Sequence, residues 1–467
     1  MAQGQNEKKT FASFDKFGLK EFADQLTRYL LVERQFVEES YVLSLNSEFG
    51  SGKTTFFEMW RNELVSRNDF SRVIYLNAWE SDFQGDALLA IVSRFVDMLK
   101  DGKTEETKEK IKETAGKLSK FALCIGNDVV QRFTGIDPIK AAEYAEDAAS
   151  KTESTVGEAC FEIYREKQAV FDELRTQLRD LTSQQDKPIL IIIDELDRCR
   201  PTYAIEFMET MKHFFDIGGL IFVLGVDKSQ LASSAKALFG HELNFDEYYR
   251  KFAHRNVNLP IKDETAATRF CTALVKEYLT KAAFQKRGQF SYIDQDQHAT
   301  EIIVDLCTTF SLNARQIHEV LRVAAHVFSA SKETRSHLRW GWHASTLFMV
   351  VLYVKKSDFY HRIGRREVSP EQFTTCLVES GLCKGEGHGS FWWAAVLYLG
   401  AFGAESVARM EAEFTKLGVW KQSADDKDAL QKELSRFQGA YGQFSDVQAF
   451  SEIYRKLEGL KVFAEES

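Results

Sequence analysis

The residues best suited to chemistry lie in a glycine-rich segment that follows an apolar run. The segment reads Ser47-Glu48-Phe49-Gly50-Ser51-Gly52-Lys53-Thr54-Thr55. Glycines let backbone N–H groups approach phosphates closely and adopt positive φ values. A lysine and a threonine after the last glycine are suited to bind the β- and γ-phosphates and Mg²⁺. Residues 47–55 are therefore predicted to bind a nucleoside triphosphate, with Lys53 as a catalytic group and Thr54 as a metal ligand.

A group of acids forms the second candidate cluster. Asp194, Glu195 and Asp197 follow the aliphatic run Ile189–Ile193, which is typical of a parallel strand covered on both faces. A carboxylate at the end of such a strand can hold Mg²⁺ through water, and the next acid can polarise the attacking water. We predict that Asp194 serves the nucleotide and its metal, that Glu195 is catalytic, and that both clusters form one site.

One residue departs from the phosphate-loop pattern G-x-x-x-x-G-K-[ST]. Position 47 carries serine where the pattern has glycine. A small residue can replace glycine at that position if its backbone φ is negative. We therefore still expect Ser47 to belong to the nucleotide-binding loop.

The elements that must position these residues alternate between strand and helix. Apolar runs predict strands at 41–45, 72–76, 189–193 and 219–226, and helical stripes lie between and after them. This alternation indicates a doubly wound α/β domain with a parallel sheet over residues 14–260. Residues 100–186 are predicted to be a mainly helical insertion. A helical lid at 261–355 and a helical C-terminal domain of unknown role at 356–467 complete the predicted organisation.

Composition narrows the class of protein. The 467 residues carry a net charge of −9, which argues against a surface that generally coats nucleic acid. The seven cysteines are scattered without zinc-ligand spacing, and the N-terminus has no apolar signal region. The longest apolar run, 391–404, is shorter than the roughly 20 residues of a membrane-spanning helix. We expect a cytoplasmic protein without a membrane span.

Four stretches together resemble the KAP family of P-loop NTPases. They are the glycine-rich segment, Tyr75–Glu80 (YLNAWE), Ile193–Cys199 (IDELDRC) and Phe222–Asp227 (FVLGVD). Two positions differ from the family's usual pattern, namely Ser47 and Glu195, where relatives have glycine and aspartate. The resemblance implies the additional-strand type of P-loop sheet and ATP rather than GTP as the nucleotide. Many relatives carry membrane helices between the two motifs, whereas this chain resembles the soluble branch.

The resemblance also implies roles for residues outside the two clusters. It implies that Asp227 senses the γ-phosphate, although a helix N-cap explains this aspartate equally well. Arg250, Arg255 and Arg315 are candidates for an arginine that stabilises transition-state charge, and Arg315 is the preferred one because it opens a predicted helix. Arg198 is an alternative that would face a partner subunit.

The prediction as a whole is Mg²⁺-dependent ATP hydrolysis coupled to conformational change or assembly. Relatives that exclude phages imply a bacterial defence or regulatory setting, with a homo-oligomer or a second effector protein as partner. A nucleotide-gated scaffold or signalling switch with negligible turnover is the main alternative. A nucleic-acid motor is a third, and the acidic net charge and the absence of helicase motifs count against it.

Overall fold

The structure is a computed structural model in which the chain divides into two compact units. The first comprises Met1–Asp15, Leu19–Phe49 and Lys53–Leu259, and the second Lys16–Gly18, Gly50–Gly52 and Pro260–Ser467. The structure describes residues 8–83, 175–214, 216–261, 263–279, 297–330, 340–382, 388–403, 407–418 and 449–461, with the single positions 87, 90, 91, 94 and 172.

The first unit is built on a five-stranded parallel sheet. Its strands are β1 (Tyr41–Asn46), β2 (Arg72–Asn77), β3 (Ile189–Asp194), β4 (Leu220–Val226) and β5 (Arg255–Asn258). Their order is β2-β3-β4-β1-β5, and each neighbouring pair is parallel. The strand that leads into the glycine-rich loop, β1, is thus separated by β4 from the strand that ends in the acids, β3. This intervening strand confirms the predicted additional-strand type of P-loop sheet.

The helices of the first unit follow the strands in the manner of an α/β domain. Those whose bounds the structure describes in full are α1 (Phe11–Phe14), α2 (Lys20–Glu33), α3 (Lys53–Arg67), α4 (Ala78–Asp82), α5 (Pro201–Lys212), α6 (Lys228–Phe239) and α7 (Phe245–Tyr249). Every residue of β3 and β4 is buried, as expected for central strands covered on both faces. Alternate residues of both strands, such as Ile191 and Phe222, share one core cluster with Phe207 of α5.

The second unit is helical over its described residues. Its helices are α8 (Glu264–Leu279), α9 (Gln297–Thr309), α10 (Ala314–Ala330), α11 (Trp340–Lys355), α12 (Ser357–Gly364), α13 (Pro370–Ser380), α14 (His388–Phe402), α15 (Val407–Lys416) and α16 (Ala449–Lys461). One cluster of buried residues runs from Phe270 to Leu457. Residues 344–352 of α11 are buried throughout, which marks α11 as an interior helix.

The predicted strands were found with small shifts, and one strand was missed. β1 and β2 each extend one residue further than expected, to Asn46 and Asn77. The missed strand, β5, has the polar sequence Arg-Asn-Val-Asn and is mostly exposed at the sheet edge, so no apolar run marks it. The predicted insertion lies outside the described residues except for 172 and 175–186, of which 175–183 are helical.

Part of the longest apolar run lies in the core of the second unit. Residues 395–399 of α14 are buried in the cluster of the second unit. Within the described ranges, no helix is long and apolar enough to cross a membrane. The predicted division of the chain at 260 and 355 stays a prediction.

Candidate nucleotide site

The glycine-rich loop connects β1 to α3. Gly50 and Gly52 have φ values of +78° and +98°, a region that glycine adopts without steric penalty. Lys53 begins α3, so the N-terminal N–H groups and dipole of this helix follow directly on the loop. Of the remaining predicted loop residues, Ser51 is buried, Glu48 is exposed and Thr55 is half-buried. The two glycines therefore have the positive φ values that were expected of this loop.

Ser47 fits the loop without needing the freedom of glycine. Its N–H donates to the Val226 carbonyl at 3.0 Å, and its side chain is buried. It is not among the described non-glycine residues with positive φ, which are Asn68, Glu195, Ser311 and Arg366. The condition on serine at this position is thus met, because no left-handed backbone is required of it.

Lys53 is buried at the base of the loop. Its Nζ donates to the Ser47 carbonyl at 2.5 Å and lies 3.9 Å from Oδ2 of Asp197. Burial lowers the pKa of Lys53, and the nearby carboxylates, Asp197 first among them, oppose that shift. The carboxylates thus compensate only in part for the desolvation of the Lys53 ammonium. A hydrogen bond from this ammonium to a phosphate oxygen would therefore be strongly favourable.

Asp194 ends β3 and is fully buried. Its Oδ1 accepts from the Glu195 N–H at 2.8 Å, and its Oδ2 accepts from the Tyr75 hydroxyl at 2.9 Å. Burial raises the pKa of Asp194, although hydrogen bonds from Thr54 and Tyr75 act in the opposite direction. The structure therefore brings Asp194 and Thr54, the two predicted metal ligands, together.

The oxygen atoms of Thr54 and Asp194 suit Mg²⁺. This ion prefers oxygen ligands and is commonly bound by one or two protein groups together with substrate phosphates. Over the described part of the chain, no group of three or more His, Cys, Asp or Glu side chains could enclose a metal by itself. A Mg²⁺ ion held by Thr54 and Asp194 would take its remaining ligands from water or from the nucleotide phosphates.

Glu195 has an unusual backbone, and both of its side-chain oxygens contact neighbouring groups. Its φ of +62° and ψ of +23° are left-handed, and such a conformation in a non-glycine residue costs on the order of 1 kcal/mol. Its Oε1 lies 2.9 Å from Nη1 of Arg198 and 3.5 Å from the Thr54 hydroxyl. Its Oε2 accepts from Nδ2 of Asn77 at 3.1 Å. The predicted catalytic carboxylate thus faces Thr54 from the end of the neighbouring motif.

Tyr75 and Asn77 are site residues to which the sequence analysis assigned no chemical role. Asn77 pairs with Asp194 in the β2–β3 register, so the carboxyl ends of both strands meet at one edge of the sheet. The Oδ1 of Asn77 accepts from the Trp79 N–H at 3.0 Å, which leaves its Nδ2 as the donor to Glu195. In the sequence, both residues are marked only by the polar end of an apolar run. The strand order is needed to see that this end lies beside the acids of β3.

Asp227 and Asp197 are two further acids of the candidate site. Asp227 caps α6, because its Oδ1 accepts from the Ser229 and Gln230 N–H groups, and its Oδ2 also accepts from the Phe49 N–H at 3.0 Å. Burial opposes ionisation of Asp227, but these bonds and that of the Ser229 hydroxyl lower its pKa overall. Asp197 is also buried, which raises its pKa, and its Oδ1 has no hydrogen-bond partner.

The candidate arginines lie in different places. Arg315 is the second residue of α10, and within the second unit its N–H donates to the Gly50 carbonyl at 3.1 Å. Arg250 follows α7 and Arg255 begins β5, and both are exposed. Arg198 forms a side-chain ion pair with Glu195, an acid of the candidate site. The catalytic role of Arg315 stays a prediction.

Solved structures similar to this chain share low sequence identity with it. The ORC2 protein of Aeropyrum pernix, in ADPNP–ADP complexes, is 13% identical with a TM-score of 0.33, and 95% of each chain is covered. The ORC1 protein of the same organism in complex with DNA is 12% identical with a TM-score of 0.33, over 96% of this chain and 94% of that one. Drosophila ORC bound to poly(dA/dT) DNA and Cdc6 is 9% identical with a TM-score of 0.33, over 100% and 74%.

The family comparison is more specific. No protein of curated function matches the sequence. A profile described as the KAP family P-loop domain matches residues 19–329, which is more than half of the chain and includes both motifs. The sheet order, the phosphate loop and the acids at the end of β3 agree with that match. This chain belongs to the KAP family of P-loop NTPases.

Proposed function

We propose that this chain binds ATP with Mg²⁺ and hydrolyses it. The observation that carries the proposal is that Lys53, Thr54, Asp194 and Glu195 lie together at one edge of the sheet. Thr54 and Glu195, which are in contact, are 141 residues apart in the sequence. Family membership supports a nucleotide as the ligand, and ATP rather than GTP rests on the resemblance to the family.

The residues would divide the chemistry as follows. Loop N–H groups and Lys53 bind the β- and γ-phosphates, which places the terminal phosphate near the acids. Thr54 and Asp194 hold the metal, which when bound supplies charge neutralisation for the phosphates. Glu195 orients the attacking water and accepts its proton, while Asn77 and the left-handed backbone fix the direction of the carboxylate. Asp227 positions the loop through the Phe49 N–H.

Two variants test this division. Lys53→Ala is expected to lose ATP binding, because the buried ammonium is the main phosphate ligand of the side chains. Glu195→Gln is expected to retain ATP binding and to lose hydrolysis, because glutamine keeps the shape but accepts no proton. Titration with a fluorescent ATP analogue and a phosphate-release assay measure the two properties. Lys212→Ala and Glu242→Gln, at exposed positions, are the matched controls.

A nucleotide-gated switch with negligible turnover is the second candidate. The engagement of Glu195 by Arg198, Asn77 and Thr54 favours it, because a carboxylate already bound on both oxygens is less available to water. Tight ATP binding with phosphate release at the level of the enzyme-free reaction would support the switch. Wild-type release that disappears in Glu195→Gln would support the ATPase.

Nucleotide state is proposed to control assembly or a partner. The expected outcome is a change of oligomer or partner binding between ADP and a non-hydrolysable ATP analogue, and native mass measurement reports it. An anti-phage role rests on the resemblance to phage-exclusion relatives. Phage plating on cells that express the wild type or Lys53→Ala tests it, since protection should require nucleotide binding.

A further inference from the structure

Arg198 connects the predicted catalytic carboxylate to the glycine-rich loop. Its guanidinium forms an ion pair with Oε1 of Glu195 at 2.9 Å. The same group lies over the ring of Phe49, 4.6 Å from the ring centre. A cation over an aromatic face is attracted to it, so Arg198 is held from two sides. Phe49 belongs to the loop and Glu195 to the end of β3, and all three residues are in the first unit.

Each end of this contact is fixed by further structure. Glu195 directly precedes the short 3₁₀ turn Leu196–Arg198, of which Arg198 is the last residue and Leu196 is buried. Phe49 is fixed through its backbone, because its N–H donates to Asp227 at 3.0 Å. Both partners of Arg198 are therefore held in place by other parts of the protein. The Arg198–Phe49–Glu195 contact does not depend on the conformation of a single long side chain in solvent.

The contact opposes the role that Glu195 must perform. A carboxylate has about four lone-pair positions on its two oxygens. Arg198 and Thr54 face Oε1, and Asn77 occupies one position on Oε2. Asn77 is a neutral donor and can fix the carboxylate without drawing it away. The guanidinium instead binds the charged carboxylate strongly, so a water molecule must compete with it for Oε1.

We propose that Arg198 is a restraining residue that holds Glu195 in a low-activity position, with Phe49 as its support. The proposal rests on the proposed ATPase activity and adds its regulation. Arg198 retains 30% of its side-chain exposure and Phe49 is 40% exposed. The restraint is thus accessible at the surface, where an anionic group could draw the guanidinium away from Glu195.

The test compares phosphate release by the wild type, Arg198→Ala, Phe49→Leu and the double variant Arg198→Ala/Glu195→Gln. Arg198→Ala is expected to raise kcat about three- to tenfold, with KM for ATP nearly unchanged. This fold-change corresponds to the loss of a partly exposed ion pair that is reinforced by a contact with an aromatic ring. Phe49→Leu, which removes the aromatic face but keeps an apolar side chain, should raise kcat less. The double variant should be inactive, since the gain acts through Glu195. Arg61→Ala, at an exposed position of α3, controls for the loss of a positive charge.

The outcomes separate the restraint from the activity. A rise in Arg198→Ala that disappears in the double variant supports the restraint, even if the wild type itself is barely active. A wild type whose hydrolysis needs Glu195, with Arg198→Ala equal to it or slower, overturns the restraint and leaves the ATPase standing. ATP binding with no hydrolysis in either protein overturns both. Circular dichroism of each variant shows whether it is folded.

Discussion

Gly225 is the position where a single methyl group should disturb the site most. It lies in β4 and pairs with Leu45 of β1. A Cβ atom at Gly225 would lie 2.3 Å from Cε2 of Phe57, 2.9 Å from its Cζ and 3.0 Å from Oδ1 of Asp194. Phe57 is in α3, the helix that begins at Lys53. Gly225→Ala therefore acts on the predicted phosphate-binding helix and on the predicted metal ligand at once.

The expected loss of stability in Gly225→Ala follows from the small space around the added methyl group. Ordinary contact to Cβ begins near 3.4 Å, so the Phe57 ring must retreat by about 1 Å, and overpacking of this kind costs typically 1–3 kcal/mol. Phe57 and Asp194 are both fully buried, which restricts relaxation on both sides. We expect Gly225→Ala to lower the free energy of unfolding by about 2–3 kcal/mol.

Urea unfolding without nucleotide measures the stability effect, and titration with a fluorescent ATP analogue at several Mg²⁺ concentrations measures the effect on the site. Gly459→Ala is the matched control, because its added Cβ meets no atom within 4 Å and it lies in α16. The control should be neutral or more stable by about 0.5–1 kcal/mol, since alanine favours a helix over glycine. Adding Phe57→Leu to Gly225→Ala should cost less than the sum of the two single changes.

One result would refute the reasoning about Gly225. If Gly225→Ala unfolded at the urea concentration of the wild type and bound nucleotide with the same Mg²⁺ dependence, the close packing of β4, Phe57 and Asp194 would be wrong. A double variant whose loss equals the sum of the losses in Gly225→Ala and Phe57→Leu would show that the Phe57 ring is not the group that is displaced.

Three further changes test single contacts. Tyr75→Phe removes the hydroxyl that donates to Asp194 and should weaken Mg²⁺-dependent nucleotide binding several-fold, equivalent to about 1 kcal/mol, as measured by Mg²⁺ titration. Asp194→Asn should gain stability relative to the wild type as pH rises from 4 to 7 without metal. The reason is that burial raises the pKa of Asp194 in the folded state, so the wild type loses stability as pH rises through that pKa; an unchanged difference in urea midpoint across this range would contradict it. Ser47→Gly should leave nucleotide affinity within about twofold and reduce stability by about 0.5–1 kcal/mol, and a large gain in affinity would show that serine strains the loop.

The sequence was sufficient for the parts of the fold that carry strong local patterns. The buried runs that became β3 and β4 and the loop with Gly50 and Gly52 were all predictable from residue types. β5 was not, because an exposed edge strand has no apolar run to mark it. The position of Asn77 beside Asp194 depends on which strands are neighbours, and local sequence does not specify that order.

The limits at individual side chains have a similar origin. Asp227 could be interpreted as a cap or as a sensor, and the structure shows that one carboxylate caps α6 and also binds the loop at Phe49. The cap is a local contact that the sequence analysis included, whereas the contact to Phe49 depends on β4 lying beside β1. The left-handed backbone of Glu195 was equally hidden, because glutamate does not favour that conformation.

The strand order has a consequence for how the protein folds. Tyr75 and Asp194, which meet through neighbouring strands, are 119 residues apart, and Tyr249 and Ser44 are 205 apart. Such distant pairing slows folding, because the conformational entropy of chain closure is lost before the stabilising contacts form. Each halving of a connection recovers only about 0.6 kcal/mol of closure entropy, so reducing the segment between β2 and β3 to a quarter of its length would gain about 1.2 kcal/mol. During synthesis, the glycine-rich loop leaves the ribosome long before β4 can pair with β1, and it must wait for that strand before its conformation is supported.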